Sequence, residues 1–428
     1  MALLVGYPGT IASCWQQAGR SGRRHEESLA ILLAGNDPID HYLLRHPDYF
    51  FAQSPEQAVV DPENPYVLAR HLKAAAFELP LSRDDTAMFG RLAPQVAEAL
   101  RDAHDLNEVA NRHYYSGGEN PAQKISLRHM SDNTFSIVLA GGARQNHEVI
   151  ANVDAISAPE LVYPQAVCLH DGETYLVRSL DLDGKVAYVE RRETDYYTQA
   201  VLESSVRVRH TRRAKPHAAV AEAGFCDVDV QWQTVAFKKI KFGTRENIGL
   251  GPVDIPPQEL PTTALYLAVE ADLAARMKAA GHRSNEGLVG LRNLAVTALP
   301  IISMCDVRDV SGVVDSMNLA RPTLILYDRY PGGLGYCERG YERLAELLAL
   351  CWDMVRGCEC DDGCSSCVGL PNLRPAIHSD PDLTRGYPMP DKRATLRLLE
   401  IVVGLDETAT LPEPSECSRP IYSSDSKR

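Results

Sequence analysis

Four cysteines fall within ten residues, from Cys358 through Cys360 and Cys364 to Cys367, and no other stretch restricts the fold as much. Two closely spaced pairs supply four thiolates, the set of a closed tetrahedral site in which a metal keeps no open position for substrate. Gly363 suits the left-handed backbone of a tight knuckle. The spacing reads as structural Zn2+, with an iron–sulfur cluster as the competing use of four thiolates. Glu359, Asp361, Asp362, Ser365 and Ser366 lie between the cysteines and argue against a dry core of unliganded thiols. The chain has eleven cysteines, an odd number, and the others are scattered. A secreted disulfide scaffold would be short and evenly stapled, so the expectation is a metal and a reducing, cytoplasmic setting. Cys351 continues the helical spacing of Tyr341, Leu344, Leu348 and Val355 and reads as core. Cys305 is ambiguous, and Cys14, Cys168, Cys226, Cys337 and Cys417 have no constellation around them.

At 428 residues the chain has room for several domains. Its net charge of −13 excludes a general electrostatic attraction for nucleic acid, so any such contact must be local. Two basic clusters stand out: Arg20, Arg23 and Arg24, then Arg207, Arg209, Arg212, Arg213 and Lys215. No apolar run is long enough to span a bilayer, and Met1–Thr10 lacks the charged start and cleavage site of a signal peptide. No membrane partner is expected.

The pattern predicts an α+β multidomain protein. Residues 3–7 read as a buried strand, followed by a helix and a second strand over 28–33. Gly35-Asn36-Asp37-Pro38 marks a boundary. Helices follow, one opened by Asn64 and Pro65 with Leu68, Leu72 and Ala75 on its apolar face, another with Leu92, Val96 and Leu100. A winged-helix-like module is expected there. Asp171-Gly172 and Asp183-Gly184 are hairpin signals in a β-rich stretch expected to be a small barrel or sandwich. Val228, Val230 and Trp232 alternate and open the last domain, with helices near 262–280, 284–299 and 338–356 and a buried strand at Leu324–Tyr327. The divisions read are 1–37, 38–118, 119–215, 216–375, and 376–428 as a C-terminal helix and disordered tail.

Gln17-Ala18-Gly19-Arg20-Ser21-Gly22-Arg23 matches the motif VI pattern of superfamily-two helicases. In such motors ATP lies between two RecA-like domains, and arginines of one domain stabilise charge on the phosphoryl group held by the other. Arg20 and Arg23, three apart, would share a helix face. The preceding Gly6-Tyr7-Pro8-Gly9-Thr10-Ile11-Ala12-Ser13 and Trp15-Gln16-Gln17 resemble the lead into motif VI in the MrfA-like helicases, of DEAD/DEAH type. The resemblance extends through Asn64-Pro65-Tyr66-Val67-Leu68 with His71-Leu72, Asp195-Tyr196-Tyr197-Thr198, Met304–Gly312, and Tyr327–Gly335 leading to the cysteine cluster. It covers about residues 3–375. In the family pattern a His often follows the Glu that opens the long helix, where this chain has Glu286-Gly287, and Cys often occupies the stretch held here by Ala74–Ala76.

The resemblance implies the C-terminal portion of an ATP-dependent 3′→5′ DNA helicase of DNA-repair type. It would comprise the motif VI end of the second RecA-like domain, a winged-helix-like module, a small β domain and an MrfA-like zinc-binding domain. The family's zinc cysteines carry over onto Cys358, Cys360, Cys364 and Cys367. Arg20 and Arg23 would be arginine fingers, with Gln17 beside them. The sequence contains no Gly-x-x-x-x-Gly-Lys-Ser/Thr loop and no Asp-Glu-x-His or Asp-Glu-x-Asp box, so nothing cradles the phosphates. The chain is therefore expected to begin just after motif V and to use ATP and Mg2+ only with the missing N-terminal half, in cis or in trans. Its partner is expected to be single-stranded or 3′-tailed DNA, held at Arg207, Arg209, Arg212 and Arg213. Alternation would put Arg207 and Arg209 on one side of a strand, with Arg212 and Arg213 in a loop. The alternative is a non-enzymatic zinc-containing subunit that binds DNA or a protein, as in phage-defence systems. Asp306, Asp309 and Asp328 admit two readings: a metal site for nuclease chemistry, or helix caps that order the Pro-Gly-Gly turn.

Overall fold

The computed structural model describes residues 1–22, 28–52, 59, 61–125, 134–140, 148–218, 221–244, 246–369 and 390–405. Arg23, Arg24 and the tail beyond 405 lie outside them.

The N-terminal segment is a βαβ unit: β1 (Ala2–Val5), α1 (Ile11–Ala18) and β2 (Ala30–Leu33), the strands parallel with Ala2 opposite Ala30. Thr10 caps α1 by accepting the Ser13 N–H at 3.1 Å. The strand at 3–7 is not a buried one: Leu4 is covered, but Leu3 is 57% and Val5 81% exposed. Two strands make too narrow a sheet to cover both of its faces.

Next come α2 (Pro38–Arg45), α3 (Asp48–Ala52), α4 (Pro65–Glu78), α5 (Arg83–Ala87), α6 (Ala93–Asp102) and a hairpin of β3 (Leu106–Val109) and β4 (Arg112–Tyr115). Asp37 and Asn64 cap α2 and α4, each before a proline in the first turn. Helices followed by a hairpin form the winged-helix arrangement, closed over Leu72, Ala76, Ala97, Leu100 and Leu106. The apolar faces turn slightly from expectation. Ala76 is buried and Ala75 only partly, while Leu92 is 36% exposed and Ala93 takes its place inside.

The β-rich stretch contains β5 (Thr134–Leu139), β6 (Glu148–Asp154), α7 (Ala158–Leu161), β7 (Val167–His170), β8 (Glu173–Asp181) and β9 (Val186–Arg191). Both predicted hairpin turns are present, between β7 and β8 and between β8 and β9. The strands form one sheet in the order β6-β5-β9-β8-β7. Among the described residues it is an open five-stranded sheet, not the closed barrel or sandwich expected. Its core closes instead on Phe237, Val253 and Ile255 from the following domain, with Tyr163 stacked on Phe237 at 5.5 Å.

That domain is built on a long hairpin, β10 (Tyr196–His217) and β11 (Ala221–Lys241), joined by β12 (Asn247–Pro252) and β13 (Gln258–Val269). The sheet runs β10-β11-β13-β15-β14, with β14 (Val310–Asp315) and β15 (Thr323–Asp328), and β12 beside β11. The division at 215/216 falls near the tip of the hairpin. The helix expected over 262–280 is corrected: residues 258–269 are strand, and only α8 (Ala271–Ala279) is helical. A run buried on both faces, as Ala264–Val269 is, cannot be told from a buried helix by periodicity. The long helix is α9 (Ser284–Ser303), and the segment near 338–356 is two helices, α10 (Tyr336–Glu342) and α11 (Leu344–Arg356), broken at Arg343. With α12 (Lys392–Val403) these helices cover one face of the sheet around Leu265, Leu267, Leu294, Leu348 and Cys351. Cys351 is core, as its spacing predicts.

Candidate functional site

The cysteine cluster follows the C-terminus of α11. The sulfurs of Cys358 and Cys364 are 3.5 Å apart, those of Cys360 and Cys367 3.5 Å, and those of Cys364 and Cys367 3.7 Å. All four lie within 4.8 Å of one another. Zn–S bonds of about 2.3 Å at tetrahedral angles place sulfurs roughly 3.8 Å apart, so the donor set fits zinc. Gly363 has φ +123°, and a Cβ there would meet the Pro390 carbonyl oxygen at 2.7 Å, which explains glycine in the knuckle. The Cys364 N–H points at the Cys367 sulfur at 3.3 Å, the hydrogen bond a thiolate ligand takes. Burial pushes the Cys358 and Cys367 thiols up. Asn293 on α9 donates to the Val368 carbonyl at 2.9 Å and ties the knuckle to the core.

Gln17 and Arg20 lie where α1 ends. The helix stops at Ala18, and the Arg20 N–H turns back to the Gln17 carbonyl at 3.3 Å. The expectation that Arg20 sits on a helix face is therefore corrected: it stands in the turn that follows. Both side chains are exposed and line an open groove of about 550 Å³ with Ser21 and the N-terminal strand.

The acidic trio is structural. Asp306 caps a short 3-10 turn by accepting the Arg308 N–H at 2.9 Å. Asp309 accepts the Tyr330 hydroxyl at 2.6 Å and the Asp306 N–H at 2.8 Å. Asp328 is fully buried and accepts the N–H groups of Leu334, Gly335, Tyr336 and Cys337 at 2.8 to 3.2 Å. It wraps the Pro331-Gly332-Gly333 turn, where Gly333 has φ +77° and a Cβ would overlap Thr263 Oγ1 at 2.0 Å. Asp328 thus serves the Pro-Gly-Gly turn, while Asp306 and Asp309 cap the short turn before β14, Asp306 paired also with the Arg308 guanidinium and Asp309 with the Tyr330 hydroxyl. The only metal-type donor cluster among the described residues is the cysteine set.

The arginine cluster is laid out differently from expectation. Arg212 and Arg213 belong to β10, not to a loop, and register shifts at Val208/His210 and Thr211/Arg213 reset which way they point. Arg209 pairs with Asp229, Arg212 with Asp227 at 2.6 Å, and Arg213 with Glu338 and, at 3.6 Å, Glu342. Arg213 also lies 5.1 Å from the Tyr341 ring centre. Arg207 is exposed with no ion pair among the described residues. The cluster is thus largely neutralised.

Unpaired cations occur instead at the base of the same hairpin. Among the described residues, none of Lys238, Lys239 and Lys241 has a carboxylate within ion-pairing distance. Lys239 lies 5.4 Å over the Tyr196 ring, and Tyr197 packs on the exposed Phe242 at 5.6 Å. Burial holds the Lys238 pKa below its usual value. Phe237-Lys238-Lys239-Ile240-Lys241-Phe242 carries a legible sign, basic residues among aromatics, that attention to arginine density passes over.

Comparison with known proteins adds two family matches. The MrfA Zn-binding domain matches residues 291–368. The winged helix domain of the ATP-dependent helicase HRQ1 matches residues 60–130. The chain is 38% identical over 374 residues to the uncharacterized ATP-dependent helicase YprA of Bacillus subtilis (strain 168), covering 86% of this chain and 49% of that protein. It is 24% identical over 433 residues to the ATP-dependent helicase hrq1 of Schizosaccharomyces pombe, covering 96% of this chain and 39% of that one. The crystal structure of DUF1998 helicase MrfA bound to DNA superposes with a TM-score of 0.57 at 36% identity, over 94% of this chain and 52% of that chain. A further MrfA crystal structure gives a TM-score of 0.60 at 33% identity, over 86% of this chain and 52% of that one. The chain thus spans about half the length of these relatives, or less.

Proposed function

We propose that this chain, which resembles in sequence and fold the C-terminal portion of an MrfA-like helicase, supplies the arginine half of an ATP site and the DNA-holding domains of a 3′→5′ DNA helicase. The observation that carries this reading is the groove at the end of α1. Gln17 and Arg20 stand exposed there, without ionic partners among the described residues, on a parallel βαβ unit whose Leu3, Val5, Leu29 and Leu33 are open. Such a sheet buries its apolar residues against further strands or helices, and a RecA-like domain carrying the phosphate loop is the occupant that suits both features. Arg20 would then reach charge developing on the transferred phosphoryl group. ATP and Mg2+ would be held by that other domain. The four-cysteine site holds zinc as a structural element and takes no part in the chemistry.

DNA contact is proposed through phosphates, by Arg207 with Arg209, Arg212 and Arg213 of β10, and by Lys238, Lys239 and Lys241. No helix among the described residues is long and apolar enough to cross a membrane. The test is nucleotide turnover by the chain with and without a polypeptide carrying the phosphate loop. Turnover that appears only in the mixture and disappears with Arg20→Ala supports the reading.

A further inference from the structure

Lys392 is a buried lysine without a carboxylate partner among the described residues. Its ammonium donates to the carbonyl oxygens of two of the ligand cysteines, Cys358 at 2.7 Å and Cys360. Its backbone N–H donates to the Asp362 carbonyl at 3.2 Å, inside the knuckle. Buried charges are ordinarily paired, because removing an ammonium from water is expensive. Two carbonyls solvate this one but do not neutralise it. The nearby carboxylate of Asp362 is 91% exposed and turns to Arg393. What remains is the cysteine set. Four thiolates around Zn2+ carry a net charge of about −2, and a cation beside such a site stabilises the ionised ligands.

Lys392 is the first residue of α12, which Asp391 caps by accepting the Ala394 N–H at 2.8 Å. That helix packs on α9 where Gly287 and Gly290 leave room for it. A Cβ at Gly287 would lie 2.8 Å from the Ala394 carbonyl oxygen, and one at Gly290 2.0 Å from Thr395 Oγ1. The position and burial of Lys392 are therefore fixed by the docking of the whole helix. The family match ends at residue 368, before this helix begins.

We propose that the zinc-binding unit extends to α12, and that Lys392 is a positioning residue of the metal site: it orders the Cys358 and Cys360 backbone and supplies the counter-charge to the four thiolates. The proposal rests on the reading of the cysteines as a zinc site. The test uses the full chain loaded with zinc and measures the rate at which a chromogenic chelator removes the metal. Outer-sphere substitutions of this kind typically weaken metal binding about 10- to 100-fold. Lys392→Met is expected to release zinc at least about tenfold faster than the parent, and Lys392→Arg to restore most of the parent's retention. Asp391→Ala removes the helix cap but leaves the charge, and is expected to release zinc at close to the parent rate. If Lys392→Met does not fold, Lys392→Gln, which keeps donors and removes the charge, takes its place. Release from the charge-removing variant at the parent rate overturns the proposal, as does equal acceleration by Asp391→Ala, which would assign the effect to helix docking alone. A parent chain that holds no zinc refutes the metal site itself, a result distinguishable from either.

Discussion

The side-chain amide of Asn64 donates to the carbonyls of Pro331 at 2.9 Å and Gly333 at 2.5 Å, across more than 260 residues of sequence. Its oxygen accepts the Tyr66 and Val67 N–H groups and so caps α4. One buried side chain therefore both starts a helix of the winged-helix module and fixes that module to the turn that Asp328 organises.

Asn64→Asp is the informative change. Aspartate caps helices as well as asparagine does, but it cannot donate, and it sets a carboxylate against two carbonyls. Asn64→Ala is expected to lower stability by about 1–3 kcal/mol through removal of the cap and its hydrogen bonds. Asn64→Asp should be at least as damaging. Urea midpoints of the two variants decide this. An Asp variant as stable as the parent would mean that the bonds to Pro331 and Gly333 contribute nothing.

Asp328→Asn should destabilise the chain by about 3 kcal/mol or more, because an amide replaces one acceptor oxygen with a donor facing N–H groups. Since this carboxylate serves the turn, Mg2+ or Mn2+ should leave the melting temperature of the parent unchanged. A metal-dependent rise that disappears in the variant would restore the nuclease reading.

DNA affinity separates the two basic regions. Changing Lys238, Lys239 and Lys241 to Ala should weaken single-stranded binding at low salt. It should also flatten the salt dependence, by about 0.7 units of log–log slope for each phosphate no longer neutralised. Changing Arg207, Arg209, Arg212 and Arg213 to Ala should do less for each charge removed, since most of those charges already face carboxylates. Anisotropy titrations across salt concentrations measure both. A greater weakening in the arginine variant would place the DNA on the upper hairpin.

Zinc content should be one per chain, and replacing Cys360 and Cys364 with Ser should abolish it and unfold the region after Gly357. Structural zinc contributes roughly 10–16 kcal/mol of apparent binding energy in small domains. Unchanged zinc in that variant would contradict the ligand assignment.

What is legible in the sequence is what depends on local chemistry. The cysteine spacing, the Asn64-Pro65 helix start and the two Asp-Gly hairpins are each specified by a few adjacent residues. Ala264–Val269 reads as helix because burial on both faces erases the pattern that separates strand from helix. The pairing of Arg209, Arg212 and Arg213 is hidden because their carboxylates arrive from another strand and a distant helix, set by register shifts that no periodicity reports. Lys392 is hidden for the same reason: its partners lie more than 30 residues away in sequence.

Nucleotide turnover tests the central claim most directly. The chain alone, purified to constant activity, should show no DNA-stimulated ATP hydrolysis. Mixed with a polypeptide that carries a phosphate loop from an MrfA-like helicase, it should hydrolyse ATP, and Arg20→Ala should lower that turnover by about 10³-fold or more, the effect of removing an arginine finger. Hydrolysis by the chain alone, or turnover in the mixture indifferent to Arg20→Ala, would contradict the account.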